Sequence, residues 1–312
     1  MTEPFHPDLR LAALLTPRLD LSPRLVPVVR RLMRAVARAR PRRDVEVRDV
    51  RVPGPLGAPD VRVRCYRPRE LKAPAPALLW MHGGGYMLGV PEMDDASCAA
   101  TALELGIVIV SVDYRLAPEN PFPAALEDCY AALRWLSDEA TALGVRAERL
   151  AIGGASAGGG LTAALAQLAH DRGGPRPAFQ LLIYPMLDDR TALRADIDGA
   201  QHRAWSQRSN WLGWSCYLGR PPGDRHVPEH AVPARRSDLS GLPPAWLGVG
   251  TCDLFHDEDL TYARRLSESS VPCELVVAPG AFHGFDVIAP RAGVSRDFRA
   301  RYRAALRSAL FG

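Results

Sequence analysis

The chain has 312 residues, 47% hydrophobic and 24% charged, a globular composition that excludes a disordered or collagen-like polymer and suits one large domain with an insertion or two modest domains. Its 39 basic and 35 acidic residues leave a net charge of +4, too small for a dedicated nucleic-acid surface, so no nucleic-acid partner is expected. The apolar runs stop well short of the ~20 residues that a membrane span needs.

The opening stretch from Met1 to Asp8 carries two acids and no apolar signal-sequence core, so a cytoplasmic protein without a stable membrane anchor is expected. Residues 1–40 read as short helices. Leu11, Leu14 and Leu15, then Val28, Val29, Leu32, Met33 and Val36, recur at helical spacing, and Pro17, Pro23 and Pro27 break the run. Arg30, Arg31, Arg34, Arg38, Arg40, Arg42 and Arg43 crowd the same region. They read as a solvated helix face, the alternative being contact with an anionic surface such as lipid or RNA. Residues 44–52 and 61–66 alternate charged and apolar side chains and predict an antiparallel hairpin.

Short apolar runs then recur at 77–81, 107–112, 150–153, 181–184, 245–250 and 274–277. Helix-length amphipathic segments lie between most of them, at about 92–105, 122–140, 159–171 and 257–269, with a last one near 295–310. Buried strands alternating with helices predict an α/β protein, a mostly parallel sheet covered on both faces. The stretch between the fourth and fifth of these runs is too long for one helix and reads as an insertion over the sheet. Cys65, Cys98, Cys129, Cys216, Cys252 and Cys273 form no C-x-x-C pair, so free thiols are expected and neither a disulfide framework nor a zinc site.

Ligands of such sheets bind beyond the carboxyl ends of the strands. The residues just after each run are Gly83–Gly85, Asp113, Ser156, Asp188, Asp253 and His283. Gly154-Ala155-Ser156-Ala157-Gly158 has the G-x-S-x-G pattern between a strand and a helix, which presents a serine on a sharp turn. A serine hydroxyl needs a base, and His283, on a glycine-punctuated loop after the last strand, is the candidate; His256 is its rival. The base needs an acid: Asp253 is the first choice and Asp257 the second, with Asp257 expected to cap the following helix and Asp259 to face solvent. Gly84, Gly85 and Ala157 are the expected backbone donors to a forming oxyanion, with His82 and Gly83 supporting that loop. Gly158-Gly159-Gly160-Leu161-Thr162-Ala163 fits a loose dinucleotide pattern but comes after several strands, where that motif does not belong.

The chain resembles the hormone-sensitive-lipase-like branch of the α/β-hydrolases, the bacterial family IV esterases. The resemblance rests on His82-Gly83-Gly84-Gly85, Asp113-Tyr114-Arg115-Leu116-Ala117-Pro118-Glu119, Gly154-Ala155-Ser156-Ala157-Gly158-Gly159, Tyr184-Pro185 with Asp188, Asp253-Leu254 with Asp257-Glu258, and His283-Gly284-Phe285, in family order over roughly residues 45–312. It implies an α/β-hydrolase fold with an eight-stranded sheet and a helical cap. It also implies a metal-free, cofactor-free Ser–Asp–His mechanism acting on small short- to medium-chain carboxylic esters. Asp113, Arg115 and Glu119 match positions that hold loops in the family. Ala155 departs from the acid or threonine usual before the serine. The expected division is a cap segment at 1–43, a catalytic domain at 44–189 and 226–312, and a cap insertion at 190–225.

Trp205, Trp211, Trp214 and Tyr217 of the insertion read either as a substrate pocket or as cap core. An amidase or lactonase with the same triad is the nearest alternative function. A non-catalytic small-ligand receptor, like the plant gibberellin receptors that resemble this family, is disfavoured because His283 is in place. His226-Val227-Pro228-Glu229-His230 satisfies a metalloprotease pattern on paper, but Pro228 argues against the helix that pattern needs. A monomer, or a homodimer paired at the last strand, is expected.

Overall fold

Alternate residues of the strand Ala75–Met81 feed two separate cores. Ala77, Leu79 and Met81 belong to one hydrophobic cluster, and Leu78 and Trp80 to the other. This is the period-2 signature of a strand buried on both faces. The computed structural model describes residues 5–37 and 43–312; Arg38, Arg40 and Arg42 and the side chain of Val36 lie outside the described residues.

The strands are β1 (Val45–Val52), β2 (Val61–Pro68), β3 (Ala75–Met81), β4 (Val108–Asp113), β5 (Val145–Ala155), β6 (Phe179–Ile183), β7 (Ala245–Gly250) and β8 (Cys273–Ala278). They form one eight-stranded sheet in the order β1-β2-β4-β3-β5-β6-β7-β8. The β1–β2 and β2–β4 pairs are antiparallel and the rest are parallel. The helices are α1 (Arg10–Leu15), α2 (Val26–Val36), α3 (Asp95–Leu105), α4 (Ala124–Asp138), α5 (Ala157–Asp171), α6 (Gln207–Leu218), α7 (His256–Glu268), α8 (Phe285–Ile288) and α9 (Gly293–Phe311). Helices α4 and α5 cover one face through Leu126, Leu133, Leu161 and Leu165. Helices α3 and α9 cover the other through Ala102, Leu105, Phe298 and Leu306.

Boundaries differ where polarity hides regular structure. β5 begins at Val145, not at residue 150, because its Arg146–Arg149 half leaves the buried part of the sheet and rejoins it only where Val145 pairs with Ala75. The segment expected as a helix from 92 starts with a 3-10 turn, Pro91–Asp94, and becomes α-helical at Asp95. Pro27 does not interrupt a helix; it sits in the first turn of α2, where a missing N–H costs nothing.

The N-terminal segment is a strap. His6 N donates to Gly280 O at 3.0 Å, and the Phe5 ring meets Phe282 edge-on at 6.1 Å. Arg203 Nε donates to Ala13 O at 2.8 Å, and Ser206 Oγ to Leu19 O at 3.0 Å. Arg30 then reaches Met87 O, Ala117 O and Glu119. The strap thus runs from the loop after β8, across the insertion, to the loop after β3. The insertion's helix α6 is capped by Ser206 Oγ, which accepts from Ser209 N at 3.1 Å.

Helix α7 overturns two expectations. Asp257 caps nothing; its carboxylate is taken by Arg194 at 2.8 Å and His256 at 3.1 Å. Asp259 does not face solvent. It is 0% exposed, on the same stripe as Tyr262, Ala263 and Leu266, and neither carboxyl oxygen has a hydrogen-bond partner. Positions 259, 262, 263 and 266 are spaced as one helical face. Burial, reinforced by Glu258 and then Asp253, holds the Asp259 carboxyl well above the usual carboxylate range. A folded-state pKa raised in this way adds stability that is complete below the ordinary carboxylate pKa of about 4 and is lost as pH rises through the folded value. Asp259→Asn is therefore expected to gain in melting temperature relative to the parent by several degrees between pH 5 and pH 9. A constant difference across that range, measured by calorimetry, would contradict the buried, protonated carboxyl.

Candidate active site

The nucleophile candidate stands where β5 turns into α5. Ser156 has φ 57° and ψ −122°, a strained geometry for a residue with a Cβ. Its N–H donates to Ile183 O at 2.9 Å, and its carbonyl accepts from Gly160 N and Met186 N, both at 3.0 Å. Helix and sheet approach so closely that a Cβ on Gly158 would lie 2.0 Å from Met81 O. That approach is the reason for small residues on both sides of the serine.

Ser156 Oγ and His283 Nε2 are 2.9 Å apart, and His283 Nδ1 and Asp253 Oδ2 are 2.8 Å apart. A carboxylate only accepts, so Nδ1–H donates to Asp253 and Nε2 is left to accept from the serine hydroxyl. The second oxygen of Asp253 accepts from Phe255 N at 3.0 Å, which locks the carboxylate. All three residues are buried. The His283 ring lies edge-on between Tyr184 at 4.9 Å and Phe255 at 5.2 Å. The Tyr184 hydroxyl donates to Asp286 at 2.8 Å, and burial raises the Asp286 pKa. Tyr184 and Phe255 were given no role from sequence. Tyr184 stood in a motif of the family resemblance and directly after β6; the signal for Phe255 was its position two residues after Asp253.

The glycine loop lies alongside. Gly84 and Gly85 have φ 128° and 58°, and a Cβ on Gly85 would strike the Trp205 indole at 2.3 Å. A Cβ on Gly83 would lie 3.4 Å from Ser156 Cβ, so loop and elbow are in contact. Ala157 is the first residue of α5, so its N–H has no acceptor within the helix, and the helix dipole favours negative charge there. His82 donates from Nδ1 to Gly83 O at 2.8 Å and stacks on Tyr114 at 4.3 Å, while Tyr114 donates to His82 O at 2.7 Å. Burial lowers the His82 pKa, which keeps it neutral as a loop brace.

The other motif residues hold the frame. Asp113 pairs with Arg62 at 2.8 Å, Arg115 with Asp128 at 2.7 Å and Glu119 with Arg30 at 2.8 Å. Glu258 accepts from Leu187 N at 2.7 Å and Asp188 N at 3.2 Å, fixing the loop after β6. Asp188 itself pairs with Arg190 and takes no part in the triad. The insertion divides. Trp205 covers Gly85, Trp214 and Tyr217 pack against Tyr86 at 5.2 and 4.1 Å, and Trp211 turns outward with 42% exposure. His202, unassigned from sequence, is buried in the same insertion and its pKa is lowered by burial, against the pull of the Asp253 carboxylate.

A cavity of about 1180 Å³ lies elsewhere and none of the triad lines it; its wall mixes arginines such as Arg190, Arg225 and Arg265 with acids such as Asp188 and Asp238. Asp171, Glu229 and His230 line it, with ligand atoms within 4.8 Å of one another. Arg236 already holds both oxygens of Asp171 and lowers its pKa to about 2, and His230 pairs with the same carboxylate, so Asp171 is committed to ion pairs. His226 is not part of it, and residues 226–230 form no helix.

Comparison with known proteins agrees with this arrangement. A family model for the α/β hydrolase fold matches residues 78–287. Esterase LipI of Mycobacterium tuberculosis is 35% identical over 92% of this chain and 89% of its own length. Ethyl acetate hydrolase of Pseudomonas putida is 38% identical over 72% of this chain and 70% of its own. The solved structure of a bacterial heroin esterase superposes with a TM-score of 0.92 at 37% identity, covering 99% of this chain and 98% of that one. Strand order, serine elbow and these relatives agree: the chain belongs to the hormone-sensitive-lipase-like branch of the α/β-hydrolases.

Proposed function

We propose that the protein is a serine carboxylesterase that cleaves short- to medium-chain carboxylic esters through an acyl-enzyme. The observation that carries this reading is the hydrogen-bonded line from Ser156 through His283 to Asp253. The names of the relatives, esterase and ethyl acetate hydrolase, support the ester class and a small acyl group.

His283 Nε2 takes the hydroxyl proton as Ser156 Oγ attacks the ester carbonyl. The negative charge that develops on the carbonyl oxygen meets the N–H groups of Gly84, Gly85 and Ala157, each worth about 3–4 kcal/mol in such sites. Asp253 stabilises the imidazolium and does not itself take the proton. Collapse breaks the ester C–O bond, and His283 protonates the leaving alkoxide. Water, deprotonated by His283, then attacks the acyl-enzyme and releases the acid and the free serine. No cofactor or metal enters this scheme.

In this reading residues 1–43 and 190–225 form the cap, and 44–189 and 226–312 the catalytic domain. Trp205 walls the substrate side of the glycine loop, whereas Trp214 and Tyr217 serve the cap core. No helix of the described residues is long and apolar enough to cross a membrane. Six cysteines with no disulfide among them suit work in the reducing cytoplasm. The exposed edge of β8 suits pairing as a homodimer, with the monomer as the alternative state.

Ser156→Ala is expected to lower kcat for p-nitrophenyl butyrate by roughly 10⁴-fold or more, and to abolish labelling by a fluorophosphonate probe. Retained labelling would remove Ser156 from its role. Asp253→Asn is expected to cost roughly 10³–10⁴-fold in kcat, the wrong imidazole tautomer being stabilised. Asp257→Asn, whose exposed ion pairs contribute little, should stay within about threefold of the parent; equal damage from both would reassign the acid. Across p-nitrophenyl esters, kcat/KM should fall steadily from octanoyl to palmitoyl, and p-nitroanilides of the same acyl groups should react far more slowly. Faster turnover of the anilides would favour the amidase alternative.

A further inference from the structure

The strap has two unlike faces. Leu9, Ala13, Leu21 and Val26 are buried against the body of the protein. On the outer side Leu11, Leu14 and Leu15 of α1 are 69%, 80% and 72% exposed, and Leu25, Val28 and Leu32 at α2 are 47%, 60% and 63% exposed. Leu25, Val28 and Leu32 follow i, i+3, i+7 spacing and form one stripe along α2. Arg24, Arg31 and Arg34 are exposed beside that stripe. Arg30, on the inner side, is taken up by Glu119 and two carbonyls. Among the described residues, Arg24, Arg31 and Arg34 have no acidic partner, unlike Arg62, Arg64, Arg115 and Arg194 in the body. Arg24, Arg31 and Arg34 are solvent-exposed, as a solvated face requires, and they border an exposed apolar stripe.

Exposed leucines flanked by unpaired arginines are the makings of an interfacial helix, apolar side chains entering the acyl boundary and guanidiniums meeting anionic headgroups. A second copy of the chain fits the same face poorly, since a two-fold contact would bring the two sets of unpaired arginines together. RNA would leave the leucines unsatisfied. The strap crosses the carboxyl edge of the sheet, between the loops that carry His283 and the glycine triplet, with these leucines exposed on its outer side. We propose that the outer face of the N-terminal strap docks the protein reversibly on an anionic lipid surface.

The test is co-sedimentation of the intact protein with vesicles of phosphatidylcholine alone or mixed with phosphatidylglycerol. Binding to the mixed vesicles only, weakened by salt, is the expected result. Leu14→Asp/Leu32→Asp and Arg31→Glu/Arg34→Glu should each weaken that binding by roughly tenfold or more, with the melting temperature unchanged because every altered side chain is exposed. Equal affinity for both vesicle types, no sedimentation, or double variants that bind like the parent would overturn the proposal. So would light scattering in which the parent is a dimer and Leu14→Asp/Leu32→Asp a monomer, with vesicle binding unaltered.

Discussion

The structure depends on one strained turn. Ser156 holds a left-handed φ without being glycine, and it is kept there by bonds to Ile183, Gly160 and Met186 on three sides. Nothing local favours that conformation; the close approach of α5 to β3 and the loop after β6 imposes it. The consequence is a hydroxyl that projects from the carboxyl edge and a helix N-terminus aimed at the same point. The glycine loop after β3 is in contact because β3 and β5 are neighbours in the sheet.

The hydrogen-bonded line from Ser156 to Asp253 has the opposite character, since its members follow strands distant in sequence. Asp253 and His283 follow β7 and β8, paired in parallel, so their loops leave the sheet side by side. The carboxylate is fully buried; its Oδ1 accepts from a backbone N–H and its Oδ2 is left for Nδ1–H. Tyr184 and Phe255 clamp the imidazole edge-on and limit its rotation. Rigid placement of this kind removes the need to reorganise dipoles during reaction, which is how such sites lower barriers.

The insertion couples to these residues through short contacts. Trp205 seals the outer side of Gly85, and Gln201 accepts a hydrogen bond from the thiol of Cys252, the neighbour of Asp253. The strap is stitched to the same insertion through Ala13, Pro17 and Leu19. One continuous layer therefore spans Asp253, His283 and the glycine loop, with an apolar, basic outer surface.

Periodicity and motif carried much of this before any coordinates. The alternation of short buried runs with amphipathic segments determined an α/β sheet, because strand and helix spacing follow directly from which faces are dry. The placement of Ser156, His283 and the glycine loop at one edge of the sheet was legible from their positions after strands, and the family resemblance supplied the eight-stranded count. Other features belong to the tertiary structure. The inward turn of Asp259, the pairing of Asp257 with Arg194, the clamp of Tyr184 and Phe255 on the imidazole, and the separation of Trp211 from the buried Trp205 and Trp214 all depend on which element packs against which. The polar start of β5 was hidden for the same reason: a strand that leaves the core shows no apolar run. Local sequence determines what a segment can bury, whereas contacts between distant segments decide what it does bury.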